Sequence, residues 1–284
     1  MAEPAEFVKS KNLNNSTMAI SQKVNNRISE GLKKFQPLVA SAKARDINES
    51  DTVVLLIGIL ADALGYDRYT EITTEKAIKG TFCDLAIKMD GKIHILIEVK
   101  AVGVDLKDIH VKQAVDYAAN DGIDWVILTN SVTWRIYKIL FTKPIQNILV
   151  CEFDLLNLKA KDTDDIEKLA LLSREATGKS VLEDYFTQKQ ATSKFMLGNL
   201  LFEESVLNLL RKELKQVYPN IKTSNDEISK VLKNEVLKRE IVEGEEALEA
   251  RKKIAKANRK AEKAKHEKTK EEPDSPVVGE AVSE

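Results

Sequence analysis

The segment Thr81-Phe-Cys-Asp-Leu-Ala-Ile-Lys-Met-Asp-Gly-Lys-Ile-His-Ile-Leu-Ile-Glu-Val-Lys100 constrains the fold more than any other part of the chain. Its second half alternates β-branched Ile93, Ile95, Ile97 and Val99 with His94, Leu96, Glu98 and Lys100, a period of two that specifies a strand with one face under covering helices. The first half repeats the pattern, with Cys83, Leu85, Ile87 and Met89 as the apolar set and Asp84 on the other face, and Asp90-Gly91 marks the turn. A two-residue loop would pair odd with even positions and put Asp84 among the isoleucines. A three-residue loop, Met89-Asp90-Gly91, matches apolar face to apolar face and is therefore expected, with Asp84 nearly opposite Leu96 and diagonal to Glu98.

The rest of the chain supplies layers around this hairpin. Asn48 can cap a helix in which Val53, Leu56, Ile57, Leu60 and Leu64 recur at helical spacing up to Gly65. Strands are expected at about 69–76, 82–89, 92–100, 124–130, 133–140 and 146–153, with a helix near 107–120 and a turn at Asn130-Ser131. This order predicts an α/β fold, a mixed β-sheet flanked by helices, at 46–158. An amino-terminal arm, 1–45, carries a helix from about Met18 to Ala44 and packs on something else. A helical region follows at 159–248, including a Ser224…Glu227 capping box, and then a mobile tail, 249–284. From Arg251 to Lys270 that tail holds ten basic and two acidic residues, helical at most transiently, before an acidic end.

Forty-four basic and forty-five acidic residues leave a formal charge of −1, which excludes a global cationic field. The longest apolar stretch, Val53 to Ala61, is too short to span a bilayer, and the first residues lack a signal design, so a cytoplasmic protein with no membrane partner is expected. Cys83 and Cys151 form no metal-ligand pair or disulfide framework, as suits a reducing compartment.

Asp84, Glu98 and Lys100 on one side of a buried hairpin are costly to desolvate unless they pair or hold a cation. Magnesium, with manganese as a substitute, takes hard oxygen ligands from one or two carboxylates and from substrate phosphates, and a lysine beside it can orient or deprotonate a water. Phosphodiester hydrolysis fits those parts. The ordinary reading is a salt-bridged strand end, since Glu213-Leu-Lys215 repeats the tripeptide on a surface helix.

With Asn48-Glu49-Ser50-Asp51-Thr52 opening a helix, Gly80-Thr-Phe-Cys-Asp84, Ile97-Glu98-Val99-Lys100, Gln113-Ala-Val-Asp-Tyr117 and Trp134-Arg-Ile-Tyr137, the chain resembles the PD-(D/E)XK nuclease superfamily. Within it, the chain is similar to the amino-terminal nuclease domain of type I restriction enzyme R subunits and to stand-alone restriction endonucleases. The resemblance covers about 46–158. It implies a restriction-endonuclease-like core and a magnesium-dependent DNA endonuclease of restriction or defence. It further implies that Asp84 and Glu98 are metal ligands, that Glu49 is a third acid at the site, and that Lys100 is the catalytic lysine. Gln113 and Tyr117 would face the site or the DNA backbone. Cys83 stands where the family often has proline.

Other readings accompany these. Glu49 suits a first helical turn through the macrodipole alone, and Gln113 and Tyr117 suit a plain helix-face pair. His94 reads as a strand histidine rather than a ligand, and Trp125 and Trp134 read as sheet packing. Gly178-Lys179-Ser180 lacks the first glycine of a phosphate loop, and no ATP is expected. The basic run either follows DNA phosphates or only solvates the chain. A homodimer would supply two sites for cutting two strands. The alternative function is a nucleic-acid-binding or assembly module that keeps the fold without cutting.

Overall fold

The computed structural model describes residues 21–78 and 81–270, with backbone alone at 75–78, 81–82 and 264–270. Met18, Ile20, Gly80 and the acidic end after 270 lie outside the described residues. Contacts divide the chain into two compact units, one ending at Phe186 and the other beginning at Thr187.

The first unit is built on a six-stranded mixed sheet whose spatial order equals its sequence order. The strands are β1 (Ile72–Ile78), β2 (Thr81–Met89), β3 (Lys92–Val99), β4 (Trp125–Thr129), β5 (Thr133–Leu140) and β6 (Gln146–Asp154). Every neighbouring pair is antiparallel except β3 and β4, which are parallel, and the helix α3 (Asp108–Asp121) makes the crossover between them. Gly122 ends α3 in the left-handed region, at φ 68°.

The two sheet faces carry different cores. Leu85, Ile87, Ile95, Ile97 and Val99 face one side, together with α1 (Gln22–Ala44) and α2 (Glu49–Gly58), which continues as a π turn at Ile59–Ala63. Ala86, Leu96, Val126 and Leu128 face the other side, against Val111, Ala114 and Ala118 of α3. The arm helix is thus an integral wall of the core: Ile28, Leu32 and Val39 are fully buried. Gly31 meets the π turn so closely that an added Cβ would stand 2.3 Å from Ala63 Cβ. Arg27 locks this contact, donating to the carbonyls of Ala63 and Leu64 and gripping both oxygens of Glu175 at 2.8 and 2.7 Å. Glu175 belongs to α5 (Arg174–Gly178), which follows α4 (Thr163–Ala170) and precedes α6 (Val181–Ala191).

The hairpin between β2 and β3 corrects the expected turn. Met89 pairs with Lys92 across a two-residue loop in which Asp90 and Gly91 are both left-handed, at φ 51° and 79°. The register then shifts, from Lys88↔Ile93 to Ile87↔Ile95, so His94 is the extra residue of a β-bulge. That single insertion restores odd-with-odd pairing and turns Ile93 to the α3 side, away from Ile95, Ile97 and Val99. Beyond Leu85↔Ile97 the next register step sets Asp84 opposite Glu98, rather than opposite Leu96 as expected. Cys83 departs from the set of Leu85 and joins the α3-side cluster, its Sγ lying 3.3 Å from the Ile97 carbonyl.

The second unit is helical: α7 (Lys194–Leu200), α8 (Glu204–Val217), α9 (Asn225–Val231) with a π turn at Leu232–Val236, α10 (Arg239–Val242) and α11 (Glu245–Lys270). The Ser224 capping box forms as expected. The basic segment, expected to be helical only transiently, lies inside the continuous helix α11. Burial of Ala247, Ala250 and Ile254 on one face offsets the charge repulsion along it. Among the described residues, no helix is long and apolar enough to cross a membrane.

Candidate active site

The β2–β3 ladder opens where the site begins. Asp84 is the residue at which the backbone ladder of β2 with β3 ends, and its Oδ2 accepts the Val99 N–H at 2.7 Å. A side chain thereby replaces the missing strand partner and fixes the carboxylate beside Glu98. On the opposite edge of β3, the Lys100 N–H donates to the Thr129 carbonyl at 2.9 Å, so the parallel ladder holds the backbone that presents Glu98 and Lys100.

Glu98 is 3% exposed. Its Oε1 accepts from Lys100 Nζ at 2.6 Å, while its buried Oε2 has no hydrogen-bond partner. Burial, with the negative charge of Asp84, raises the Glu98 carboxyl above the ordinary carboxylate range, against the pull of Lys100. Burial lowers Lys100, but its hydrogen bond to Glu98 and the charges of Glu98, Glu49 and Asp84 outweigh that and hold it as an ammonium. Cys83 beside them is no nucleophile, because burial and the same carboxylates push its thiol up to about 12.

Glu49 opens α2, where the Asn48 side chain accepts from the Asp51 N–H, and its Oε2 lies 3.6 Å from Lys100 Nζ. Glu49 thus reaches the group through the lysine. Among the described residues, no group of three or more His, Cys, Asp or Glu side chains converges tightly enough to hold a metal by itself. The hydrogen bond of Gln113 Nε2 runs to the Tyr117 hydroxyl at 2.5 Å, one turn along α3. Tyr117 is buried in the cluster of Cys83 and Leu96, while Gln113 is exposed. The bulge carries His94 away from the carboxylates, to a cleft lined also by Trp125, Lys138 and Glu183. Trp134 stacks on Phe153 in the sheet core.

Asn130 contributes in a way its turn position did not reveal. Its amide donates to the Val102 and Val104 carbonyls, and its Oδ1 accepts from the Val132 and Thr133 N–H groups, tying the loop after Lys100 to the β4–β5 turn. Arg135 adds a bond to the Leu106 carbonyl at 3.0 Å. The backbone leaving the site is therefore pinned from the β4–β5 turn and from β5. An Asn at a strand end was the available signal, but it read equally as turn chemistry.

Comparison with known proteins gives a family match over part of the chain. Residues 54–148, about a third of the chain, match the family of the type I restriction enzyme R protein N terminus. The matched stretch runs from α2 into β6 and contains Asp84, Glu98, Lys100, Gln113 and Tyr117, with Glu49 just before it. No curated protein and no solved structure matches the chain.

Proposed function

We propose that this chain, whose residues 54–148 resemble the amino terminus of type I restriction enzyme R proteins, is a metal-dependent DNA endonuclease acting against foreign DNA. The observation that carries the reading is the buried, partnerless Glu98 Oε2, on the residue that the register sets opposite Asp84. A carboxylate oxygen in that state is costly unless something binds it.

The donor set fits a hard divalent cation of the magnesium class. Two carboxylates on adjacent strands supply protein oxygens, and such a cation completes its shell with water and substrate phosphate. Asp84 and Glu98 would hold it, with Glu49, 3.6 Å from Lys100 Nζ, as the third acid at the site. When bound, the cation supplies Lewis-acid polarisation of the scissile phosphate.

Lys100, held as an ammonium, orients the attacking water and meets the charge that grows on the phosphoryl oxygens. Gln113 keeps a second amide N–H that can donate to a phosphate oxygen of the DNA backbone. Cutting of plasmid and of base-modified phage DNA in Mg²⁺ or Mn²⁺, lost in Glu98→Ala, is the expected result. Equal cutting by wild type and variant would refute it. Salt-sensitive DNA binding with no product would favour the non-cleaving module, for which the ready-made Lys100–Glu98 pair is the supporting observation.

A further inference from the structure

We infer that helix α11 of the second unit is a binding surface for the phosphate backbone of duplex DNA, separate from the carboxylate hairpin. At about 3.6 residues per turn, Lys252, Lys256, Arg259 and Lys263 fall within about 60° of one another around the helix. Ala247, Ala250 and Ile254, the buried residues of α11, fall on the opposite side. All four basic side chains are exposed. The packing of the helix thus turns a row of cations outward, which the composition of the segment alone does not require.

The row suits nucleic acid. It spans roughly 16 Å of helix axis, a length over which duplex DNA carries about ten phosphate charges. Glu262 is the one acid between Arg251 and Lys263, and it lies well around the helix from the row. A helix that lies on a lipid surface needs a free apolar face. Between Arg251 and Lys263 the only large apolar side chain is Ile254, and it is already buried in the unit. The protein as a whole is close to neutral, so attraction to a polyanion has to come from local patches, and this row is one of them.

The test is duplex binding by the full-length chain, followed by fluorescence anisotropy across a salt series in EDTA. Cleavage plays no part in that buffer, so failure of the endonuclease reading leaves the test intact. The variant carries Lys252→Gln, Lys256→Gln, Arg259→Gln and Lys263→Gln, since glutamine is a good helix former. Affinity at about 0.1 M salt is expected to fall tenfold or more. The slope of log affinity against log salt should flatten by about 3 to 4, near 0.9 for each phosphate that is no longer neutralised. A second variant, with arginine at the three lysines, should keep the wild-type slope, which separates loss of charge from loss of folding. The inference is overturned by unchanged affinity and slope in the glutamine variant, or by no binding of duplex to the wild type. Binding to phosphatidylserine vesicles with DNA binding unaffected by the substitutions would overturn it as well.

Discussion

The carboxylate of Asp84 holds the backbone N–H of Val99 at 2.7 Å, so a residue expected to bind metal also closes the hairpin that carries its partner acid. Site and scaffold share one side chain. Asp84→Ala is therefore expected to lose cleavage and also about 1–2 kcal/mol of stability, because the strand N–H loses a charged acceptor. Asp84→Asn keeps an acceptor and should recover most of the stability but not the cutting. Thermal unfolding beside plasmid cleavage separates the two; equal destabilisation by both substitutions would contradict the shared role.

Glu98 gives a pH dependence with a definite sign. Its folded-state pKa is raised, by burial first and by Asp84 second, so the folded protein holds this proton more tightly than the unfolded chain does. The associated stability is full below the unfolded carboxylate value and is lost as pH rises through the folded value. Wild type should thus lose stability relative to Glu98→Gln across a window starting at the ordinary carboxylate range and ending above it. Denaturant unfolding at a series of pH values reads this difference, and a flat difference would contradict it.

Lys100→Met should reduce cleavage by about 10²–10⁴-fold, the range for loss of one positioned transition-state donor. DNA binding should change little, since the side chain is turned inward to Glu98. Parallel binding and cutting assays check this, and a matching loss of binding would make Lys100 a DNA contact instead.

Gly31→Ala tests the arm helix as part of the core. The new Cβ would stand 2.3 Å from Ala63 Cβ and 2.8 Å from its Cα, and backbone cannot yield cheaply. A loss of about 1–3 kcal/mol in unfolding free energy is expected. An unchanged midpoint would mean that α1 packs more loosely than this contact implies.

The order of elements around the hairpin was legible because each strand carries its own alternation and each turn its own chemistry. The β3–β4 crossover and the apolar face of Ile95, Ile97 and Val99 follow from those local signals. The position of Asp84 was not legible. A bulge at His94 costs one residue and leaves the alternation on either side intact, so two registers satisfy the same pattern, and the left-handed pair Asp90 and Gly91 selects between them. What the arm packs on was not legible either. Ile28, Leu32 and Val39 announce an amphipathic helix, but its partner is fixed by Gly31 against Ala63 and by Arg27 against Glu175, contacts that reach far along the chain and leave no periodic trace. For α11 the charge count argued for a segment helical at most transiently, and three small or apolar positions on one face decided otherwise.

Because the strands lie side by side in the order they are made, nearly every ladder joins segments that leave the ribosome one after the other. The exception is the parallel β3–β4 pair, which must wait until α3 has closed the loop between them. Two meanders, β1–β3 and β4–β6, can therefore zip independently, and the backbone that presents Glu98 and Lys100 is completed only when they dock. Asp84 and Glu98 meet inside the first meander, whereas the strand end that carries Lys100 gains its backbone partner, Thr129, only across the seam between the two.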